Sequence, residues 1–318
     1  MDTHTPPIAM HIKHLESLKF GLAIVIALVF TAIFTMNYFH EGTSLSKYIT
    51  KQLELDRVKE VEAVAYTDMM LYADELTPVS EDVDLTEKAG SEEGFQRSQQ
   101  IRFVDKNVTL VLMIVAWLML IPALQRKRAL SFIYLLMGMY LALLSVCKGL
   151  NGGSAFSEWA VPAHATRWLP CIALWLWLYL KPSSAENPYR VVKWMLIISV
   201  SMTFATHGME AIQLNPAFRD LLIGGFETIS VTVSGPVSEV LLRLIGIMDI
   251  ALALLIIFFQ RKLWFLWMAI WGSLTALSRP IVFGDILWED ALLRSGNCLI
   301  PVIIILWIYR KNTQTTKV

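Results

Sequence analysis

The chain has 318 residues, of which 55% are hydrophobic and only 17% charged, whereas average soluble domains are about 45–50% apolar and about 25% charged. Its formal net charge is zero, and we expect no nucleic-acid partner. Cys147, Cys171 and Cys298 form no CxxC pair and lie in or beside apolar runs, which argues against a disulfide framework or a redox dithiol. This composition predicts an all-α, polytopic membrane protein.

Eight apolar runs are candidates for membrane-spanning helices, which need about 20 predominantly apolar residues. The first run, Phe20–Tyr38, is too long for the core of a signal peptide and lacks a small-residue cleavage site after it, so we interpret it as a span. The other seven are Val108–Leu124, Leu130–Lys148, Thr166–Leu180, Val191–His207, Val240–Phe259, Leu263–Arg279 and Leu293–Tyr309.

The charges alternate between the connecting segments and predict the orientation of the spans. The two termini and three short connections hold thirteen of the 27 Lys and Arg residues, against only Asp2, Glu16 and Glu186. The segment His40–Lys106 holds fifteen acidic and eight basic residues. Short basic loops stay in the cytoplasm. We therefore expect both termini in the cytoplasm of a bacterial inner membrane and the acidic insert, residues 40–106, outside it.

The acidic insert contains two kinds of sequence. Apolar residues recur at helical spacing from Leu45 to Val61, which predicts an amphipathic helix that continues to about Leu76. Pro78 and the acidic run Glu81–Glu93 are typical of a flexible loop. The insert is either a solvated cap on the helix bundle or a surface that binds a protein partner.

The two halves of the chain show the same order of parts, which suggests an internal duplication. Residues 1–190 form a first four-helix unit that carries the insert, and residues 191–318 form a second. Each unit crosses the membrane four times, so the two units are parallel repeats. The local matches are Gln125–Lys127 with Gln260–Lys262, Ala142–Ser145 with Thr275–Ser278, and Arg167-x-x-x-Cys171 with Arg294-x-x-x-Cys298.

Charged residues inside spans are expensive and are candidates for function. Asp249 lies near the middle of the sixth span, and His207 and Glu210 share one helical face near the outer boundary. One hypothesis is a ligand or proton-handling pocket in the outer half of the second unit; the other is a structural ion-pair network. Arg167 and Arg294 suit boundary anchoring or contact with phospholipid headgroups. The predicted pocket residues are His207, Glu210, Arg243, Asp249, Arg279 and Arg294.

The residues do not identify a cofactor. His40 and His207 lie at matching heights and could bind haem between them, but a histidine at a helix end is more often a boundary residue. His207 and Glu210 alone are too few ligands for a metal site, and we expect none. Asn215-Pro216 predicts the start of a helix to Ile229 with apolar residues on one side, which is either a lid over a pocket or a surface plug.

The second half, residues 190–310, contains His207-Gly208-x-Glu210-Ala211, Pro216-x-Phe218-x-Asp220, Ile245-Gly246-x-x-Asp249, Trp271-Gly272-x-x-Thr275-Ala276-x-x-Arg279-Pro280, Arg294 and Pro301. In these residues it resembles the DoxX-like group of four-helix bacterial membrane proteins. The first half keeps the layout without most of these residues, and its divergence implies a scaffold role. The resemblance implies the fold and an association with quinone- or thiol-linked redox systems more than a defined activity.

Three functions are compatible with these features. The first is a redox- or lipid-associated accessory protein whose pocket binds a quinone-like or lipid-like molecule. The second is a transporter or channel for a small solute or protons, with Asp249 and His207 as a relay. The third is a non-catalytic assembly protein that binds a partner through the insert. The sequence contains no nucleotide-binding loop or hydrolase triad, so an enzyme is the less favoured interpretation.

Overall fold

The structure is a computed structural model that describes residues 7–40, 42–71, 92–125, 127–153, 155–180, 187–284 and 287–315. Within these ranges the chain forms α-helices and one 3-10 turn (Ser157–Trp159), with no strand. The helices are α1 (Pro7–Phe39), α2 (Ser44–Leu71), α3 (Glu92–Leu118), α4 (Pro122–Gln125), α5 (Arg128–Asn151), α6 (Ala160–Ala163), α7 (Ala165–Tyr179), α8 (Asn187–Ile212), α9 (Pro216–Thr228), α10 (Gly235–Phe258), α11 (Lys262–Phe283), α12 (Trp288–Leu293) and α13 (Ser295–Thr315).

Six apolar stretches in the described part of the chain are long enough to cross a membrane. This confirms the all-α prediction and is the pattern of a multi-pass membrane protein. They are Glu16–Phe39, Arg128–Asn151, Tyr189–Ile212, Gly235–Phe258, Lys262–Phe283 and Trp288–Ile308.

The predicted second and fourth spans are not among the six. The second was predicted as Val108–Leu124, but α3 begins at Glu92 and ends at Leu118, ahead of Pro122. Its outer part therefore carries the charges of Arg102, Asp105 and Lys106. The fourth, α7, has 15 residues and a length of about 22 Å, which is shorter than the roughly 30 Å of bilayer hydrocarbon.

Four helices form a central ring in the order α1, α7, α8, α13, and one peripheral helix packs against each of them. Helix α3 packs on α1, α5 on α7, α10 on α8 and α11 on α13. Of the apolar stretches, 61% of the residues in α1 and in α8 are buried within the protein, against 33% in α10 and 28% in α11. A helix that is apolar all round is suited to such a central position. Because α7 is also a central helix, protein rather than lipid covers most of it.

The acidic insert begins with a helix, as predicted. Helix α2 reaches Leu71 and packs against α5 and α3, so it lies over the end of the first half that the sequence predicts to be outside, which we call the outer end. Its predicted apolar stripe is exposed at Ile49, Leu53 and Val58. The predicted loop around Pro78 lies outside the described residues, except that its last two acidic residues begin α3.

Two glycines allow α8 and α10 to pack with their backbones in contact. A Cβ atom on Gly208 would lie 2.7 Å from the carbonyl oxygen of Gly246, and one on Gly246 would lie 2.5 Å from that of Gly208. Real Cβ atoms do not approach backbone atoms so closely. Small residues at helix interfaces in membranes permit this kind of approach. The contact fixes the spacing of the two helices beside Asp249.

We predict that Gly246→Ala lowers the stability of the protein, because α8 and α10 must separate to admit the methyl group. Overpacking of this kind costs about 1–3 kcal/mol. Thermal unfolding in detergent measures the effect. Gly235→Ala on the same helix is the control, since a Cβ atom at Gly235 meets nothing within 4 Å. Equal melting temperatures for the two variants would contradict the close contact.

Candidate polar and apolar cavities at the outer face

A wide cavity of about 710 Å³ opens where the outer ends of the helices meet, and we call it the polar cavity. Residues from α1, α5, α8 and the segments that precede α7 and α13 line it. Because α7 and α13 begin here, the positive ends of both helix dipoles point toward it. Its ionisable lining residues among those described are Lys47, Lys148, His164, Arg167, His207, Glu210, Arg279, Asp290 and Arg294.

A second cavity of about 310 Å³ lies beneath α9, and we call it the apolar cavity. Helix α9 begins as predicted: Pro216 occupies its first turn, and the side chain of Asn215 accepts a hydrogen bond from the Ala217 amide at 3.0 Å. Leu214 and Ser230, on either side of the helix, both have left-handed backbone conformations, so the chain turns sharply at each end. The five apolar residues predicted on one side of α9 all line the cavity: Phe218, Leu221, Leu222, Phe226 and Ile229.

Helix α9 covers the apolar cavity, which is the position expected of a lid, and we call it the lid helix. It packs on α10 and α11, and Gly224 brings it within contact of the Val282 side chain. The guanidinium group of Arg219 lies 3.6 Å from the carboxylate of Glu239 at the start of α10, an ion pair that is largely exposed. Exposed pairs of this kind contribute little, so apolar packing is the main force that holds the lid.

His207, Phe218, Arg279 and Arg294 line both cavities and form the wall between them. The ring of His207 contacts that of Phe218 edge to face, with centroids 5.6 Å apart. Its Nδ1 lies 3.2 Å from Oε2 of Glu210, and Nδ2 of Asn215 donates to the same oxygen at 3.4 Å. His207 and Glu210, which the sequence places on one helical face, are thus in contact. The Nε2 atom of His207 is buried without a partner among the described residues.

The two arginines of the wall differ in their partners. Arg279 lies 3.4 Å from the carboxylate of Asp290. Arg294 has no ion pair within 4.0 Å in the described part of the chain, and its Nε atom is buried without a hydrogen bond. A partly buried guanidinium without a carboxylate is costly unless a ligand or solvent completes its hydrogen bonds.

Asp249 lies at the inner end of the apolar cavity and is 7% exposed. Trp271, from α11, lines the same cavity and lies close to the carboxylate of Asp249. The Oδ1 atom of Asp249 is buried and has no hydrogen-bond partner among the described residues. Asp249 therefore places a carboxylate with one unbonded, buried oxygen beside a cavity that is lined mainly by apolar residues.

Five of the six predicted pocket residues line one or both cavities, and Arg243 does not. Arg243 is exposed on the outward surface of α10. It precedes Asp249 by six residues, which places the two about 120° apart around the helix axis. Its inclusion in the predicted pocket rested on its depth in the span, and depth does not determine the direction of a side chain.

The sequence interpretation left Lys148 and Arg167 out of the pocket, although both line the polar cavity. Their position at the outer end of the membrane was the available signal, but only the packing of the first half against the second brings them to Arg294. His164 was missed entirely. Burial lowers the pKa of His164, and the cations of Arg167 and Lys148 lower it further, so this imidazole is neutral.

A buried hydrogen-bonded cluster joins the two halves beside the cavities. The Thr166 hydroxyl donates to Oδ1 of Asn297 at 2.7 Å, and its amide donates to the Thr203 hydroxyl at 3.2 Å. These residues belong to α7, α13 and α8, three of the four central helices. Fully bonded buried polar groups favour one packing arrangement over others. The cluster holds the starts of α7 and α13, from which Arg167 and Arg294 extend.

His40 and His207 do not face a common space, because only His207 lines the cavities. The Nε2 atom of His40 lies 2.7 Å from Oε1 of the buried Glu289, which links the outer end of α1 to α12. Within the described ranges, no group of three or more His, Cys, Asp or Glu residues is placed to hold a metal ion.

Comparisons with protein-family models, with curated proteins and with solved structures gave no match. The resemblance of the second half to DoxX-like proteins therefore stays a prediction, and the function must be argued from the cavities themselves.

We predict that Asp249→Leu raises the free energy of unfolding, because it removes a buried carboxylate oxygen that has no partner. Such an unsatisfied group costs about 1–3 kcal/mol. The matched control is Asp105→Leu, since the buried Asp105 accepts two hydrogen bonds of 2.9 Å from Thr43 and its loss must destabilise the chain. Thermal unfolding of both variants is the measurement. A similar loss of stability in both would make Asp249 part of a structural network.

Proposed function

We propose that this protein binds an amphipathic, lipid-like or quinone-like molecule in the outer half of its second unit and acts as a membrane accessory protein. The observation that carries the proposal is the apolar cavity beneath the lid helix, with the unbonded carboxylate oxygen of Asp249 at its inner end and His207, Arg279 and Arg294 at its outer end. Ligand sites have this character: they are mostly apolar, with a few polar groups that fix the orientation of the ligand.

The size of the apolar cavity supports the proposal. Its 310 Å³ lies at the lower end of the range for small-molecule sites, about 300–1,000 Å³. A hydrocarbon chain or a quinone ring fits such a volume, and Asp249 or Trp271 can hydrogen-bond a polar atom at its far end. The lid helix lies at the outer side, where an amphiphile from the outer leaflet can pass beneath it.

We further propose that α3 and α7 also cross the membrane, giving eight spans in two parallel four-helix units. The packing pattern supports this arrangement. In each half the first span packs on the second and the third on the fourth, and the last span of each half packs on the first span of the other. The short helices α6 and α12, which precede the two last spans, also pack on the first span of the opposite half.

The DoxX-like resemblance is consistent with this division of roles. The residues that carry it include His207, Glu210, Asp249, Arg279 and Arg294, all of which line one of the cavities. The first unit has no acid in the position of Asp249. In this proposal the first unit is mainly a scaffold, and the second unit holds the hydrocarbon part of the ligand.

The proposed orientation, with both termini in the cytoplasm of a bacterial inner membrane, has a direct test. A reporter enzyme that is active only outside the cytoplasm, inserted within residues 72–91, is expected to be active, because the basic loops keep the opposite face inside. The same reporter inserted within residues 181–186 is the control and is expected to be inactive. Activity at the second position, or none at the first, would overturn the orientation.

Ligand binding is tested by filling the apolar cavity. Gly225 lines this cavity, and a Cβ atom added there would have its nearest neighbour at 4.0 Å, so Gly225→Trp can be accommodated by occupying the cavity. We expect wild-type protein purified in mild detergent to carry a bound amphiphile detectable by native mass spectrometry, and the variant to lose at least 90% of it.

Leu277→Trp is the matched control, because Leu277 is exposed on α11 and lines neither cavity. This variant is expected to retain the bound molecule at the wild-type level. If Gly225→Trp is folded and carries as much amphiphile as wild type, the apolar cavity is not the binding site. If wild type carries none and gains no thermal stability from added decyl-ubiquinone or phospholipid, the proposed function is wrong.

A further inference from the structure

Beside Lys47, four cations converge on the polar cavity, two from each half of the chain. Lys148 lies near the outer end of α5 and Arg167 in the first turn of α7, while Arg279 lies toward the outer end of α11 and Arg294 immediately before α13. Arg167 and Arg294 are close enough for their charges to repel one another. The described carboxylates of the cavity are only Glu210 and Asp290.

These two carboxylates are already engaged. Asp290 pairs with Arg279, and Glu210 is bonded by His207 and Asn215. Lys148, Arg167 and Arg294 have no ion pair within 4.0 Å in the described part of the chain. His164 adds hydrogen-bonding capacity but no compensating negative charge. The polar cavity therefore has an excess of positive charge that the described residues do not balance.

The positive ends of two helix dipoles add to the positive electrostatic potential of the polar cavity. Arg167 lies in the first turn of α7 and Arg294 directly precedes the first turn of α13. Cations at the start of a helix are unfavourable, whereas anions there are stabilised by the dipole and by the free backbone amides. Two helices that both carry an arginine at this unfavourable end, facing one cavity, are suited to a bound anion.

We infer that the polar cavity binds a phosphate headgroup, and that the hydrocarbon chain of the same molecule enters the apolar cavity past His207 and Phe218. This inference rests on the proposed function, because it assigns the headgroup of the amphiphile that the apolar cavity holds. A phosphate monoester carries about −1.5 to −2 charges and presents several acceptor oxygens. Guanidinium groups bind such oxygens in pairs, which matches the predominance of arginine in the cluster.

The same geometry explains why the two cavities share a wall. Arg279 and Arg294 line both spaces, so they can contact the headgroup while their aliphatic parts lie against the start of the chain. The polar cavity lies at the outer ends of the spans, at the depth of lipid headgroups. A membrane phosphate amphiphile thus fits both spaces at once, whereas free phosphate would occupy only the first.

The test compares three probes on the purified full-length protein in neutral detergent: tetradecyl phosphate, tetradecanol and inorganic phosphate, with affinities from isothermal titration or native mass spectrometry. We expect tetradecyl phosphate to bind at least tenfold more tightly than either other probe, because only it engages both cavities. Lys148 is exposed, and Lys148→Gln is expected to weaken the binding of tetradecyl phosphate roughly tenfold. The affinity for tetradecanol is expected to stay within about twofold of the wild-type value.

Arg294→Gln is expected to weaken the binding of tetradecyl phosphate more than Lys148→Gln does. Arg294→Lys is expected to bind tetradecyl phosphate more tightly than Arg294→Gln, because it keeps the positive charge but lacks the guanidinium geometry. Arg243→Gln is the matched control, since this arginine is exposed on α10 and lines neither cavity. It is expected to bind all three probes as wild type does. Lys148→Gln keeps the test valid if Arg294→Gln does not fold.

The outcomes separate this inference from the proposed function. Equal binding of tetradecyl phosphate and tetradecanol, both abolished by Gly225→Trp, would overturn the headgroup assignment and leave the apolar site standing. If inorganic phosphate binds as tightly as tetradecyl phosphate and Gly225→Trp changes neither affinity, the polar cavity is a site for free phosphate. The proposal that an amphiphile occupies both cavities is then overturned. Failure of all three probes to bind would overturn both.

Discussion

Positive charge that is withdrawn from water is the constraint on which the organisation of this protein depends. Arg167, Arg279 and Arg294 are each only partly exposed, and the outer ends of the helices bring them together with Lys148 around one cavity. Their mutual repulsion opposes folding, so the rest of the fold must hold them in place. The central ring does so through apolar packing along α1 and α8 and through the bonded cluster of Thr166, Thr203 and Asn297. Stability is thus supplied below the cavities, and the cost of the charges is localised at the outer face.

The close approach of α8 and α10 links this frame to the apolar cavity. Because Gly208 and Gly246 permit backbone contact, His207 and Asp249 lie on neighbouring helices at defined positions. Both side chains have a buried polar atom without a partner. Buried polar atoms without a partner are rare in proteins, so two of them on residues that line a cavity support the proposed ligand site.

Most of the fold could be predicted from the sequence because apolar length and charge segregation are local properties. Helix α9 could be predicted from Asn215-Pro216 and from the spacing of its apolar residues, and five of the six residues predicted for a pocket from their polarity at membrane depth do line the cavities. The errors arose where a neighbouring element decides the outcome. Helix α7 can be short because other helices surround it, and Arg243 points outward because of its angle around α10 rather than its depth. Lys148 and Arg167 could not be assigned to the pocket, since only the contact between the halves brings them there.

The difference between the two units determines which unit holds the hydrocarbon part of the proposed ligand. Under the proposed duplication, each unit supplies one cation near the outer end of its third span and one arginine at the start of its fourth, so the charged cluster is nearly symmetric. The apolar cavity is not symmetric, because Asp249 and the lid helix belong to the second unit alone. A ligand held only by charge would have no preferred unit. An amphiphile has one, since its hydrocarbon chain can enter the second unit while its headgroup remains between the two, and the proposed scaffold role of the first unit agrees with this asymmetry.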